Sequence, residues 1–287
     1  MITRKFAIGS EWLYFKLYLG RSIADSFLVE QLLPMINSCT KKGLIKNWFF
    51  IRYNDPDPHL RIRFQIYDHH HIGVICKIFN DITSELLNDH IIHKVQVDTY
   101  IREIERYGSS TMEVSEMIFR SNSEFVIQTI SICGEDQELR WLICIRWIDD
   151  FLDAFKLNLR DKQNLLKHLK TSFAGEFQAD KHARKQLSDK YRRYRSRIDD
   201  VILDVNNIEI KNLLLQNKLQ NQALALKIID KYQEKPVDIH LSDLLASYLH
   251  MHCNRLFRSK QRLCEWIIYD FLFRSYDSSL ARNKKMI

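Results

Sequence analysis

Apolar and polar positions in the first hundred residues switch between two periods, which indicates a mixture of strands and helices. Alternating or strongly apolar runs predict four strands, at 11–19, 48–53, 59–64 and 93–101. Positions 23–39 and 72–87 repeat with helical periodicity, and Lys41, Lys42 and Gly43 are stop signals for the first of these helices. The resulting order, β-α-β-β-α-β, predicts a ferredoxin-like antiparallel sheet with two helices on one face.

From Met112 onward the periodicity is almost entirely helical. It predicts seven helices, at 112–132, 135–157, 162–173, 179–205, 208–231, 241–257 and 260–276, and Pro236 marks a loop before the sixth. We therefore predict an α+β fold in which a sheet half (1–108) and a helical half (109–287) pack as a single domain. The helical half is expected to cover the sheet face that the two N-terminal helices leave open.

The composition narrows the class of protein. The chain has 287 residues with 46% apolar content, enough for a large core, and 28% charged residues argue against disorder. Its six cysteines are scattered without a C-x-x-C pair, which supports neither a zinc ribbon nor a dithiol redox motif. No apolar run has the length of a signal peptide or of a membrane-spanning helix. We therefore expect a cytoplasmic protein with reduced, mostly buried thiols.

The net charge of +7 is concentrated in one segment. Positions 181–197 carry eight lysines and arginines against the single acid Asp189. Such a run can bind RNA or an acidic peptide, although a charge run is more often a solvated helix face. No signature of a known RNA-binding fold accompanies it.

The segment WFFIRYNDPDPHLRIRF (48–64) predicts two strands joined by a turn at 54–58. In the second strand His59, Arg61 and Arg63 point to one side, away from the apolar positions between them. Two guanidinium groups side by side suit a carboxylate or another anion. An ordinary solvated sheet face would show the same alternation.

A second charged segment, DTYIREIERYG (98–108), follows at the end of the last predicted strand. We predict that its Glu105 and Arg106 form an ion pair near the sheet edge. If Arg106 also lies over the face that carries Arg61 and Arg63, three cations converge there and require an anion.

A third segment, LHMHCNRLF (249–257), brings histidines into an otherwise apolar helix. His250 and His252 are two residues apart and point to different sides, so they cannot chelate one metal well. His250 and Asn254 share a face, and His250 is either a core histidine satisfied by a neighbour or a general acid or base. The run 69–71 of three histidines predicts an exposed turn.

Five segments in one order resemble a known family: GSEWLYFKLY, WFFIRYNDPDPHLRIRF, DTYIREIERYG, MEVSEMIFRSNSEF and SYLHMHCNRLF. The chain, from Gly9 to about Phe273, resembles the C-terminal glutamate-elimination domain of nisin-type lantibiotic dehydratases. That domain also occurs as a free-standing thiopeptide-type bacteriocin biosynthesis protein. In the family a partner domain esterifies Ser or Thr of a precursor peptide with glutamate from glutamyl-tRNA. The elimination domain then removes glutamate and leaves dehydroalanine or dehydrobutyrine.

The resemblance implies a carbon–oxygen lyase of lanthipeptide or thiopeptide biosynthesis that works with a separate tRNA-dependent glutamylating protein. It implies no metal and no organic cofactor. Catalytic roles pass to Arg61 and Arg63 of the HxRxRF motif, to Arg106 of ERYG and to His250 of HMxxNR. The neighbouring residues expected to bind substrate are His59, Asn254 and Arg255. Whether His250 is the base or the acid stays open at this level.

Two positions depart from the family pattern: Ser109 follows ERYG where a glycine is common, and Asn122 precedes Ser123 where an aspartate is common. An asparagine would orient a neighbouring arginine more weakly than an aspartate. Two alternatives remain, a pyridine-forming cyclase of thiopeptide biosynthesis and a non-catalytic module that binds a leader peptide or RNA. A homodimer or a complex with the glutamylating protein is possible.

Overall fold

The computed structural model describes residues 2–234 and 237–285. Its strands are β1 (Lys5–Phe6), β2 (Trp12–Leu19), β3 (Ile45–Tyr53), β4 (His59–Ile66), β5 (Ile92–Val97) and β6 (Tyr100–Ile101). Four of them form an antiparallel sheet in the order β3-β4-β2-β5, and β1 pairs with β6 in a second, two-stranded sheet. Pro236, predicted to mark a loop, lies outside the described residues.

Helices connect and then follow the strands. Between β2 and β3 lie α1 (Arg21–Ser26), a π-helical segment (Phe27–Leu32) and α2 (Leu33–Lys41); between β4 and β5 lie a 3₁₀ turn (His69–His71) and α3 (Ile72–Asn88). The remaining helices are α4 (Ile104–Tyr107), α5 (Met112–Cys133), α6 (Gln137–Ala154), α7 (Leu159–Glu176), α8 (Lys181–Leu203), α9 (Ile208–Glu234), α10 (Leu241–Leu256) and α11 (Gln261–Lys285). The predicted α+β class with a helical C-terminal half is confirmed, and each of the seven predicted helices corresponds to one of α5 to α11.

The predicted strand at 93–101 is wrong in its extent, because it is two strands in two sheets. Asp98 ends β5: its amide donates to the Tyr14 carbonyl (3.0 Å), and its side chain accepts from the amide of Thr99 (2.7 Å). The chain then leaves the main sheet, and β6 pairs with β1. A two-residue strand such as β1 is too short to show an alternating pattern, so the sequence gives no sign of it.

The two faces of β4 differ as predicted. One face buries three apolar side chains against the N-terminal helices: Leu60, Ile62 and Phe64. The Phe64 ring lies 6.0 Å from the Phe15 ring and 6.1 Å from the Phe79 ring of α3. Each such side chain stabilises the fold by roughly 1.5–3 kcal/mol. The other face carries His59, Arg61 and Arg63, so these side chains point away from the N-terminal helices.

Side chains from two helices cover the outer edge of β3. Ser123 of α5 accepts from the Phe50 amide (3.3 Å), and Arg255 of α10 donates from Nε to the Phe50 carbonyl (2.7 Å). The Asn254 amide bonds both the N–H (3.0 Å) and the C=O (2.9 Å) of Arg52. An edge strand otherwise presents unpaired backbone groups to other chains. These bonds therefore fix α10 in register with the sheet.

No helix in the part of the chain that the structure describes is long and apolar enough to cross a membrane. All six cysteines are free thiols, four of them buried and two, Cys76 and Cys264, partly exposed. The expectation of mostly buried thiols is thus confirmed.

Candidate active site

Arg63 lies on the sheet face opposite the N-terminal helices and is buried among aromatic rings. Its strand neighbours in register are Tyr14 and Phe49. The guanidinium carbon lies 4.4 Å from the centre of the Tyr14 ring and 5.0 Å from that of Tyr100. Its Nε has no hydrogen-bond partner among the described residues. Burial lowers the pKa of Arg63, because desolvation penalises the charged form.

Arg255 brings a second guanidinium group to the same place from α10. Besides the Nε bond to the β3 edge, one terminal nitrogen donates to the side-chain oxygen of Asn122 (3.0 Å). The other terminal nitrogen is buried and has no partner within the described ranges. Burial lowers the pKa of Arg255 to about 9, with a further contribution from the charge of Arg63, so the group is still protonated at neutral pH.

Arg63 and Arg255 line one cavity of about 30 Å³. That volume holds a water molecule or the end of a carboxylate. The remaining wall is mostly apolar or aromatic, with one acid: Phe49, Ile51, Tyr100, Ile101, Glu103, Tyr107, Met112, Phe119 and Met251. In the described part of the chain no carboxylate forms an ion pair with either arginine. A buried charge without a counter-ion is costly, so the cavity is suited to bind an anion.

Arg61 lies beside this cavity on the same sheet face. It is the register partner of Ile51, a cavity residue, and its guanidinium carbon lies 3.4 Å from the centre of the Tyr53 ring. A hydrogen bond to His59 fixes the Arg61 side chain. Nδ1 of His59 donates to the Asp57 carbonyl (2.8 Å), so the other ring nitrogen, Nε2, accepts from Nε of Arg61 (3.1 Å). Burial lowers the pKa of His59, which favours this neutral tautomer. Both ring nitrogens of His59 are therefore engaged within the protein.

Arg106 does not line the cavity itself but pairs with an acid that does. Its guanidinium lies 3.3 Å from the Glu103 carboxylate, which is part of the cavity wall. The predicted Glu105–Arg106 pair is wrong: Glu105 pairs with Arg4 at 2.6 Å. Adjacent residues on a helical turn point about 100° apart and do not face each other.

Gly108, the last residue of the ERYG motif, closes the short helix α4 with a φ of +72°. A Cβ atom there would lie 2.7 Å from the side-chain oxygen of Thr111. Both the dihedral angle and the close contact therefore require glycine at this position.

His250 forms a dyad with an acid that the sequence analysis did not identify. Its Nδ1 lies 3.0 and 3.1 Å from the two carboxylate oxygens of Glu265 in α11, whose side chain is fully buried. Two donors, Gln261 at 3.3 Å and Arg262 at 3.4 Å, also lie near Nδ1. The Glu265 carboxylate is closer and can only accept, so we assign the proton to Nδ1. Nε2 makes no hydrogen bond within the described residues. Met251, the next residue, lines the cavity, whereas His250 itself does not.

His252 points to another side of α10, as predicted from its spacing. It is fully buried, with its ring stacked on Trp147 at 3.8 Å between ring centres. Its Nδ1 accepts from the side-chain amide of Asn122 (2.8 Å), and burial lowers its pKa well below the usual value. This bond turns the oxygen of Asn122 toward Arg255.

Asn254 was expected to bind substrate, but its amide oxygen and its amide nitrogen are both hydrogen-bonded to the backbone of Arg52. In the described residues only Asp68, His69 and His70 bring three potential metal ligands within 4.8 Å of one another. They are outside the cavity, and the histidine run is the exposed turn predicted from the sequence.

The family model described as the lantibiotic biosynthesis dehydratase C-terminal region matches residues 12–276. The chain belongs to this family. The resemblance noted in the sequence is thereby confirmed, and with it the association with lantibiotic biosynthesis.

Two curated relatives are biosynthesis proteins of known lantibiotics. Subtilin biosynthesis protein SpaB of Bacillus subtilis is 23% identical over 286 residues, covering 94% of this chain and 27% of SpaB. Nisin biosynthesis protein NisB of Lactococcus lactis subsp. lactis is 26% identical over 269 residues, covering 88% of this chain and 24% of NisB. The chain thus spans about a quarter of the length of these relatives.

Two solved structures share the fold. The tRNA-dependent lantibiotic dehydratase MibB from Microbispora sp. 107891 superposes with a TM-score of 0.74 at 21% identity, over 99% of this chain and 29% of MibB. TbtD, a pyridine synthase from thiomuracin biosynthesis, superposes with a TM-score of 0.67 at 12% identity, over 93% of this chain and 99% of TbtD. At these identities the likeness concerns the fold alone.

The residue that sequence reasoning missed most clearly is Glu265. It lies three positions before Ile268 and four before Tyr269, both of which are buried. Helical periodicity therefore places an acid on the buried side of α11, which is a readable signal for a paired carboxylate. Its partner could not be read, because His250 is on another helix.

Proposed function

We propose that this chain eliminates glutamate from glutamylated Ser or Thr residues of a ribosomally made precursor peptide, leaving dehydroalanine or dehydrobutyrine. Family membership sets the context. The observation that carries the proposal is the cavity lined by Arg63 and Arg255, each of which has a buried N–H with no partner among the described residues. Charge-assisted bonds from guanidinium groups to a carboxylate are among the strongest that proteins form. A departing glutamate carboxylate would fill this need.

The proposed step is a β-elimination. Nε2 of His250 takes the proton from Cα of the esterified residue, the Cα–Cβ double bond forms, and the Cβ–O bond breaks with its electron pair leaving on glutamate. Glu265 holds the imidazole in the required tautomer and stabilises the imidazolium that results. Acid–base catalysis of this kind accelerates a reaction by roughly 10²–10⁴-fold.

Positive charge supports both ends of this reaction. Arg63 and Arg255 neutralise the departing carboxylate in the cavity. We assign the second carboxylate of glutamate, or the developing enolate, to Arg61, whose Nε bonds His59, and to Arg106, which pairs with Glu103. Preorganised donors at developing charge contribute about 2.7–4 kcal/mol each in comparable sites.

The test is mass spectrometry of a glutamylated Ser/Thr peptide after incubation with the protein. The wild type should release glutamic acid, whereas Arg63→Ala and His250→Ala should leave the ester intact. Arg193→Ala and His182→Ala are matched controls, because both residues lie exposed on α8. They should behave like the wild type. An ester that persists with the folded wild type contradicts the proposal.

The second candidate is a pyridine-forming cyclase, because the pyridine synthase TbtD has the same fold. A cyclase would convert a peptide that already contains two dehydroalanines, and the proposed lyase would leave it unchanged.

The partner of the proposed lyase is a separate tRNA-dependent glutamylating protein that supplies the ester. Reconstitution with such a protein and unmodified precursor should yield dehydrated peptide only when both are present.

A further inference from the structure

A groove of about 860 Å³ opens beside the candidate active site and takes no part in the mechanism above. We refer to it as the basic groove. It runs between the start of α1, the end of the β3–β4 turn and helices α6, α8 and α11. Its walls combine an apolar floor with a charged rim: Trp141, Phe257, Ile267 and Ile268 in the floor, and Arg21, Lys190, Arg258 and Lys260 at the rim.

The rim has an excess of positive charge. Glu135 is the one acid among its lining residues, and both of its carboxylate oxygens are bound by Arg258 at 3.0 and 2.6 Å. Lys190 and Lys260 are exposed and have no ion pair within the described part of the chain. The acids of the neighbouring turn, Asp55 and Asp57, do not line the groove. A ligand that carries both apolar groups and carboxylates fits this combination.

The groove and the cavity share no lining residue, but β4 and α10 connect them. Pro58 lines it and directly precedes His59, and Phe257 lies two residues after Arg255. From Pro58 to Arg63 the strand advances about 17 Å, the length of about five residues of extended peptide. One peptide can therefore place a reacting residue at the cavity and a second segment in the groove.

We propose that the basic groove binds an apolar segment of the precursor peptide flanked by Asp or Glu, about five residues from the residue that reacts. This inference rests on the proposed function for the identity of the peptide. The aliphatic part of the floor, Ile267 and Ile268, favours apolar side chains over nucleic-acid bases, and carboxylates on the peptide match Lys190 and Lys260. Binding there raises the local concentration of a weakly bound reacting residue.

The first measurement is fluorescence anisotropy of a labelled, unmodified peptide that carries Asp-Leu-Phe-Glu separated from a Ser by about five residues. A second peptide carries Lys-Leu-Phe-Lys instead. The acidic peptide should bind about ten-fold or more tightly than the basic one, with the difference falling as salt rises. The double charge reversal Lys190→Glu with Lys260→Glu should remove this preference. Both lysines are exposed, so the variant should fold.

The matched control is Lys41→Glu with Lys227→Glu, an equal change of charge at exposed positions on α2 and α9. It should keep the preference. Equal binding of the two peptides, or an equal loss in the control, overturns the proposal. Tighter binding of a single-stranded RNA that displaces the acidic peptide would assign the groove to nucleic acid and overturn it as well.

A second readout separates this proposal from the proposed function. The charge reversal should raise KM for the long glutamylated peptide about ten-fold and leave a glutamylated tripeptide unaffected. If no glutamylated peptide loses glutamate but the acidic peptide still binds as predicted, the elimination proposal fails and the groove stands. If the tripeptide reacts but the long peptide shows no dependence on Lys190 and Lys260, the groove fails and the elimination stands.

Discussion

Replacing Asn254 with leucine distinguishes a structural role of this side chain from the substrate-binding role that the HMxxNR motif suggested. Leucine has a similar volume and removes both bonds to Arg52, at 3.0 and 2.9 Å. A backbone group left without its partner costs about 1–3 kcal/mol when water cannot replace it. Asn254 is partly exposed, so water recovers some of this cost. We expect the free energy of unfolding to fall by about 2–4 kcal/mol.

The assay is urea unfolding followed by circular dichroism, with kinetics on the folded enzyme measured in parallel. The unfolding midpoint should fall at an unchanged m-value, and KM for a glutamylated peptide should stay near that of the wild type. His250→Gln, one helical turn away, is the control: its stability should change little while elimination is lost. An unchanged midpoint together with a large rise in KM would show that Asn254 binds substrate and would refute the reasoning.

Three further outcomes are expected. Free L-glutamate at about 100 times its dissociation constant should stabilise the protein by about 2.7 kcal/mol and so raise its melting temperature. The variant Arg255→Met should not show this rise. An equal rise in the variant would place the anion elsewhere. Glu265→Gln should lower kcat and leave KM within about two-fold, because the amide keeps a hydrogen bond to His250 without the charge that stabilises imidazolium; an unchanged kcat would contradict the dyad. Burial lowers the pKa of His252, so below about pH 6.5 the unfolded chain binds a proton that the folded chain does not. The free energy of unfolding should therefore fall on acidification by up to about 1.4 kcal/mol per pH unit, and urea midpoints of His252→Asn at pH 7 and pH 5 should show a smaller difference than those of the wild type.

Local periodicity was sufficient to predict most of the elements. The alternation in 59–64 placed Arg61 and Arg63 on one sheet face, and helical spacing separated His250 from His252. Both inferences depend only on the geometry of a single element, which the chain carries in its own order of residues. The five motifs in one order were sufficient to indicate the family, and the family model that matches residues 12–276 confirmed it.

Partners across elements could not be predicted in the same way. Helical phase tells in which direction a side chain leaves its helix, but it does not tell which other helix or strand lies opposite. Arg255 and Arg63 line one cavity although 192 positions separate them in the sequence. Glu105 pairs with Arg4 rather than with its neighbour Arg106. These pairings depend on how α10 docks along the edge of β3 and on where β1 joins β6.

The sequence by itself thus determined the α+β class, the element order and the residue types available for chemistry. Only the tertiary structure decided that Arg63 and Arg255 share a cavity and form no ion pair among the described residues, that Glu265 contacts His250, and that Asn254 bonds the backbone of Arg52. The reason is that burial and pairing of a charge are properties of several packed elements at once. Desolvation and a missing counter-ion arise only when those elements close over the side chain.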